Sequence, residues 1–446
     1  MADYYAKYKE KLRSPEEAVK VVKSGDWVDY TSNVCFPSLL DNALSKRKDE
    51  LVDVKIRGNL IFGPIKTVEC DPSREHFYYN SWHCSSYERH LCDRGMCNYI
   101  PMIFRSIVPY YRHFLTVNVA MMAVPPMDVH GYFSMSCAGG FAKGILEKAD
   151  IVILEVNDKL PRIHGFYDDA IHIDDVDIVV EGEHDELPEI PVIPASPQEV
   201  KIAENIMPFI HDGSNLQIGI GSLPNTIGAM IAKSDVKDLG MHTELCGDAY
   251  YLLHEEGKLT NRKKNIFRDK GVFGIAFGSK DMYEWINENP GLSVAPLEYV
   301  NAPETIGKLD NVVSINSCVS IDLYGQINSE SAGTRHISGT GGQLDFLTGA
   351  AMSKGGRAFI CMRSTYTDKT GKVRSRIVPN FVGEIVTSPR SQAYYVATEY
   401  GVVNLTGRTT WERAELLISI AHPGFRDELI KAATQQKIWR LTNRRV

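Results

Sequence analysis

The segment Leu187 to Pro197, LPEIPVIPASP, places Pro188, Pro191, Pro194 and Pro197 at every third position. Three residues per turn is the period of polyproline II, a stiff extended conformation without internal hydrogen bonds. Neither a helix interior nor a central strand accepts missing N–H donors at that spacing, so the chain is divided here. The acidic stretch Glu181–Glu186 in front of it extends the exposed connector. The boundary is predicted at residues 186–197, giving one domain over 1–190 and a second over 191–446.

The two sides of that boundary begin alike. Ser14-Pro15-Glu16-Glu17 opens the first and Ser196-Pro197-Gln198-Glu199 the second. Each has Ser at the N-cap, Pro at the first helical position and Glu three residues after the Ser, the pattern of a capping box. Each predicted helix runs to a Gly turn, at Gly25 or Gly213, then to an extended apolar segment, Trp27–Thr31 or Leu216–Ile220, then to another helix entry, FPSLLDNAL from Phe36 or LPNTIGAMI from Leu223. The shared order predicts a duplicated α/β unit. Further on, short apolar runs (Ile151–Val156, Gly271–Phe277, Val312–Ile315) alternate with helical patterns such as Glu412–Ala421 and Arg426–Ala433. Nearly continuous Val/Ile/Leu runs between helices are those of parallel strands buried on both faces. The predicted class is α/β, two similar open domains with mostly parallel sheets.

Charge and apolar patterning exclude several functions. With 49 basic against 56 acidic residues the net charge is −7, which argues against nucleic acid as a partner. The longest apolar stretch, Phe114 to Val124, carries Thr116 and Asn118 and is far shorter than the roughly 18 residues of a membrane span. Charged residues from Asp3 to Arg13 have no apolar run behind them, so no secretory signal is expected. Nine cysteines without a C-x-x-C pair read as reduced thiols in a cytoplasmic protein.

Three loops could carry chemistry. Gly219-Ile220-Gly221-Ser222-Leu223 lies between a predicted strand and helix, where backbone N–H groups can face an anion or a polar ligand. Pro224 stands where a dinucleotide fingerprint needs its third Gly, and no Gly-Lys-Ser/Thr ending makes it a Walker A loop. The corresponding loop of the first half, Ser32-Asn33-Val34-Cys35, has no Gly, so one half is built for close ligand approach and the other is not. Gly341, Gly342 and Gln343, within SGTGGQLDF, expose consecutive amides that suit either an oxyanion hole or a tight turn. Glu244, in HTELCGD, falls near the carboxyl end of the strand after the first Gly loop, where open α/β sheets place their crevices. Its spacing fits a structural ion pair as well as catalysis.

Metal chemistry is not expected. His76, His83, Cys84, His90, Cys92 and Cys97 crowd one segment, but with no C-x-x-C or H-x-x-x-H spacing, and aromatic residues interleave them. Loop packing or pocket lining is the expected role. Cys246, two residues after Glu244, reads as a buried apolar thiol.

Eight landmarks in order resemble the acetyl-CoA hydrolase/transferase family: VPPMDVHGYFS from Val124, ILEVNDKLPRIHG from Ile153, GIGSLPN from Gly219, HTELCGD from His242, SGTGGQLDF from Ser338, VTSPR from Val386, VATEYGVVNLTGRT from Val396 and LISIAHPGFRDEL from Leu417. Within it the resemblance is strongest to 4-hydroxybutyrate and butyryl-CoA:acetate CoA-transferases. It implies two α/β domains of the CoA-transferase type, the C-terminal one carrying Glu244 and the Gly loops. It also implies CoA transfer between a short-chain acyl-CoA and a carboxylic acid (4-hydroxybutyrate or butyrate with acetate) by a ping-pong route through a glutamyl-CoA thioester. Hydrolysis of the acyl-CoA by the same Glu is the alternative. Residue by residue, it makes Glu244 catalytic with Gly341 and Gly342 beside the thioester, and gives CoA contacts to Gly219, Ile220, Gly221, Ser222, Leu223, Gly341 and Gln343. Coenzyme A is then a substrate, no cofactor or metal is implied, and a homodimer is expected. One departure is Asp248-Ala249 where relatives often have Asp-Gly; Tyr250 and Tyr251 follow, and their bulk is expected close to Glu244.

Overall fold

The computed structural model describes residues 4–191 and 193–439; Val192, inside the proline-periodic segment, lies outside the described residues. The chain forms two compact units. One contains the chain up to Ile190 together with Thr243–Asp248 and Lys270–Asn301; the other contains Pro191–His242, Ala249–Asp269 and the chain from Ala302 onward. The expected division after residue 190 is one of the crossings between them. The expected second domain, 191–446 with Glu244 in it, differs from this arrangement because 243–248 and 270–301 pack with the first unit. The physical reason is strand continuity: the carboxyl half of Gly240–Cys246 goes on beside Gly271–Ala276, where the Phe277 N–H reaches the Cys246 carbonyl at 3.0 Å.

The first unit is built on strands β1 (Leu12–Arg13), β2 (Trp27–Ser32), β3 (Val54–Asn59), β4 (Phe77–Ser81), β5 (Asn98–Tyr99), β6 (Val119–Val124), β7 (Ile151–Val156) and β8 (Ile178–Glu181). They lie in the order β1-β8-β7-β6-β2-β3-β4-β5, all parallel. Val119–Val124 is buried at every position, as a strand covered on both faces must be. The unit also holds β11 (Gly271–Ala276) and β12 (Leu292–Val294), again parallel, with Gly271 opposite Leu292. In the second unit β9 (Asn215–Ile218) lies between the start of β10 (Gly240–Cys246) and β13 (Val312–Ser317), followed by β14 (Arg357–Cys361) and β15 (Tyr395–Thr398) in parallel. A closing antiparallel hairpin adds β16 (Gly401–Asn404). The fold is α/β with large parallel sheets, and among the described residues no helix is long and apolar enough to cross a membrane.

The paired openings are present in both units. At Ser14 and at Ser196 the hydroxyl accepts the N–H of the Glu three residues on, and that Glu carboxylate accepts the Ser N–H in return, a complete capping box. Gly25 at φ 88° and Gly213 at φ 78° make the left-handed turns into β2 and β9, where a side chain would be strained. Both strands sit in the interior of their sheets, β2 between β6 and β3, β9 between β10 and β13.

Inside the first unit a charged pair crosses two strands. Asp29 on β2 stands in register with Arg57 on β3, both almost fully buried at 1% and 2% side-chain exposure. The guanidinium donates from Nε (3.1 Å) and Nη2 (2.7 Å), Tyr111 donates its hydroxyl to Asp29 at 2.6 Å, and the Trp27 ring lies 4.4 Å from the guanidinium carbon. Removing one partner of such a pair leaves an uncompensated buried charge, at a cost of about 3–5 kcal/mol. Arg57→Ala should therefore lower the unfolding free energy of the first unit, read by urea titration, by about 3–5 kcal/mol. The double variant Asp29→Asn/Arg57→Met should recover most of it, and a single variant within about 1 kcal/mol of wild type would contradict the ledger.

Two other buried carboxyls in this unit titrate high. Burial pushes Asp41 up to about 6 and Glu88 up to about 7, against hydrogen bonds from Thr67 to Asp41 and from the Ser85 N–H and Tyr79 hydroxyl to Glu88. The folded state thus holds protons that the unfolded chain, with ordinary values of 3.8 and 4.5, has already released. Their contribution is full at low pH and is lost as pH rises through about 6 to 7. The midpoint should fall from pH 5 to pH 8, and Glu88→Gln should flatten that slope; an unchanged slope would count against the Glu88 assignment.

Candidate active site

Glu244 is the fifth residue of β10, and its neighbours Thr243, Leu245 and Cys246 are buried while its own side chain is half-buried. In the first unit the strand is held from two sides. Asn301 Nδ2 donates to Glu244 Oε2 at 2.6 Å, which sets the orientation of the carboxylate. Asn301 caps the short helix Leu297–Val300 and its own N–H is bonded to the Leu297 carbonyl at 2.9 Å. That helix approaches closely because Gly274 on β11 has no side chain: a Cβ there would meet Leu297 Cδ2 at 2.3 Å and the Glu244 carbonyl at 3.3 Å. Beyond the strand, Asp248 accepts from the Ser279 N–H (2.9 Å) and hydroxyl (2.6 Å), tying down the turn after Glu244. Nothing in the sequence pointed to Asn301; it follows Glu244 by 57 residues and belongs to no motif.

In the second unit, Gly219–Leu223 joins β9 to the helix Ser222–Ala232. Gly221 is the N-cap at φ 117°, a conformation that favours glycine, and a Cβ there would meet nothing within 4 Å. Ile220 is 41% exposed and Leu223 is buried, so the loop turns its backbone outward while its end is anchored in the core. Among the described residues no side chain caps this helix start; Ser222 Oγ instead donates to Glu199 Oε2 at 3.0 Å. The Glu199 of the second capping box thereby braces the Gly loop.

The other glycine cluster leads into the helix Gln343–Met352, with Gly342 as its N-cap and Gly341 at φ 55°. Both glycines are buried. Gln343 is pinned at both ends of its amide: Oε1 accepts from Ser329 Oγ at 2.7 Å and Nε2 donates to Ser388 Oγ at 3.0 Å. Thr340 donates to Glu330 at 3.0 Å, and burial raises the Glu330 carboxyl above its ordinary range. These bonds tie the landmark at Ser338 to the one at Val386.

The first-half counterpart of the Gly loop is closed. Asn33–Cys35 forms a buried 3₁₀ turn, and the helix after it, Ser38–Ser45, receives a carboxylate from the protein itself. Glu155 on β7 accepts the N–H groups of Leu39 (3.1 Å) and Leu40 (3.0 Å) with Oε2, while Oε1 lies 3.0 Å from His184 Nε2. The position where the second unit leaves amides uncapped is thus filled here by an internal anion.

Two side chains near Glu244 in sequence are otherwise engaged. Tyr250, expected to crowd Glu244, is buried in the second unit, where its hydroxyl accepts the Ile218 N–H at 2.8 Å and donates to the Leu216 carbonyl at 3.2 Å; it braces β9. Tyr251, paired with it in that expectation, is half-buried. Burial holds the Cys246 thiol well above its ordinary range, so it is a core residue and no thiolate.

The family model for the acetyl-CoA hydrolase/transferase N-terminal domain matches residues 1–194, and that for the C-terminal domain matches 278–433. A butyryl-CoA:acetate CoA-transferase from Anaerostipes caccae is 45% identical over 98% of this chain and 99% of its own length. A 4-hydroxybutyrate coenzyme A transferase from Clostridium kluyveri is 38% identical over 95% of this chain and 97% of its own. Among solved structures, RipA from Yersinia pestis matches with a TM-score of 0.91 at 37% identity, covering 98% of this chain and 100% of that one. With both domain models matched in order and full-length relatives well above 30% identity, the chain belongs to the acetyl-CoA hydrolase/transferase family.

Proposed function

We propose that the protein is a CoA-transferase that moves CoA between a short-chain acyl-CoA and a carboxylic acid, with butyrate or 4-hydroxybutyrate and acetate as the acids, through a glutamyl-CoA thioester on Glu244. The observation that carries this reading is the Glu244 carboxylate, half-buried at the end of a core strand and oriented by Asn301 at 2.6 Å. The names of the full-length relatives support the substrate class. A carboxylate alone accounts for the chemistry. Glu244 attacks the thioester carbonyl, forming an acyl–glutamyl anhydride and releasing CoA thiolate; the thiolate attacks the glutamyl carbonyl and expels the first acid. The second acid reverses these steps and leaves as the new acyl-CoA, so the thioester's free energy is kept and the kinetics are ping-pong.

The reading assigns oxyanion donation to the Gly341 and Gly342 amides, each such donor contributing about 3 kcal/mol. It assigns CoA contacts to Gly219–Leu223, Gly341 and Gln343. Support for the first loop is its outward backbone and the uncapped helix start, which suit an anionic or polar ligand. A homodimer in the cytoplasm completes the reading. The anhydride must be shielded from water, otherwise the same Glu yields acyl-CoA hydrolysis, the other activity in the family name.

Borohydride added during turnover of butyryl-CoA should reduce the Glu244 side chain to an alcohol, read by mass spectrometry of its peptide, and Glu244→Gln should abolish transfer while CoA still binds. An unmodified Glu244 with acyl-CoA still consumed would remove the covalent route. Adding acetate should turn the consumed thioester into acetyl-CoA; release of free CoA regardless of acetate would assign hydrolysis instead.

Asn301 is a positioning residue in this reading. Asn301→Ala should lower kcat by up to about 100-fold with little change in the KM for acyl-CoA, the effect of a misplaced nucleophile. A fall in melting temperature with kcat preserved would make Asn301 merely structural.

A further inference from the structure

Three thiols of the first unit converge although no sequence spacing announced it. Cys84 lies in the turn after β4, Cys92 on the helix Ser86–Asp93, and Cys97 immediately before β5. Their Sγ atoms all lie within 4.8 Å of one another, and Cys84 and Cys92 are 3.8 Å apart. Cys84 and Cys97 are buried among Tyr79, Leu91 and Met96, and Cys92 is half-buried at the edge of the group. With metal–sulfur bonds of about 2.3 Å, three thiolates around one ion stand roughly 4.0 Å apart, close to the Cys84–Cys92 separation of 3.8 Å and within reach of the 4.8 Å limit on the others.

Each donor is held by its own element. The capping box of Ser85 and Glu88 fixes the residue after Cys84: Ser85 N–H donates to Glu88 Oε2 at 2.8 Å and Glu88 N–H to Ser85 Oγ at 3.1 Å. The same carboxylate accepts the Ile61 N–H (3.2 Å) and the Tyr79 hydroxyl (2.6 Å), so it braces the turn rather than joining the thiols. Cys97 is placed by the pairing of β4 with β5, Asn80 opposite Asn98. The histidines of the segment face elsewhere: His76 Nδ1 lies 2.7 Å from the Leu51 carbonyl, His83 packs edge-on against Phe104, and His90 is exposed.

We propose that Cys84, Cys92 and Cys97 form a three-thiolate site for a single copper(I) ion, separate from the transfer chemistry. Thiolates are soft donors that select copper(I), zinc or iron–sulfur clusters. A structural zinc site takes four protein ligands, whereas the group here supplies three, all sulfur. Half-buried Cys92 gives the ion its way in. Binding is balanced by protons: three S–H groups and Cu⁺ give the tris-thiolate complex of charge −2 and three H⁺, with no oxidation or reduction.

The test uses the reduced full-length chain under anaerobic conditions, titrated with copper(I) bicinchoninate. Wild type should withdraw one equivalent of copper from the chelator, and X-ray absorption should count three sulfur neighbours. Cys92→Ser should lose that equivalent with CoA transfer unchanged; being half-buried, it tests the site even where Cys84→Ser or Cys97→Ser fails to fold. Cys70→Ser, outside the cluster, should keep it. Wild type yielding its copper as readily as Cys92→Ser, retention in Cys92→Ser, or a cluster that holds zinc and no copper would each overturn the proposal.

Discussion

A parallel strand that runs into a helix leaves the first amides of that helix without intrahelical acceptors, and in an open sheet these starts gather at the carboxyl ends of the strands. Both units meet this constraint, and they answer it differently. After β2 the helix Ser38–Ser45 takes the Glu155 carboxylate onto two of its amides, with His184 behind it. After β9 the helix Ser222–Ala232 begins at Gly221 with no side-chain cap among the described residues, and its loop faces outward. The two openings thus differ at one position: one carries its own anion on the helix start, and the other, among the described residues, has no side-chain cap there. The glycines are what permit this, since the closed loop, Asn33–Cys35, is packed with side chains.

The placement of the Glu244 carboxylate depends on a different piece of the same logic. Strand β10 is buried on either side of Glu244, so the peptide carrying it is rigid, and only the side chain leaves the core. Asn301 then removes the remaining rotational freedom. The arrangement rests on Gly274, whose missing Cβ lets the helix Leu297–Val300 come within reach of the strand. In the proposed transfer, where one carboxylate attacks two different carbonyls in turn, such fixed placement is an advantage, because orientation already present in the folded state need not be acquired in each transition state.

Much of the fold was legible because it is encoded over short windows. Capping boxes at Ser14 and Ser196 rest on contacts three residues apart, and the apolar runs at Ile151–Val156, Gly271–Phe277 and Val312–Ile315 declare buried parallel strands by composition alone. Family motifs proposed roles for Glu244 and the Gly loops, which spacing by itself left open. What was missed lies across space. The bonding of the Tyr250 hydroxyl to the Ile218 N–H on β9, 32 residues away, is one such case. The thiols of Cys84, Cys92 and Cys97 fit no ligand-spacing pattern because a strand end, a helix and a strand start bring them together.

By itself, then, the sequence determined the α/β class and the paired helix openings on either side of the proline-periodic segment. Each of these follows from interactions within a turn or two of helix or from the apolar period of a strand, so each is written where it acts. Tertiary structure alone decided that residues 243–248 and 270–301 join the first unit, that Asn301 orients Glu244, and that three cysteines share one point. Those outcomes require elements tens of residues apart to pack at a given distance, and that distance is set by the side chains between them, Gly274 among them, rather than by any local preference.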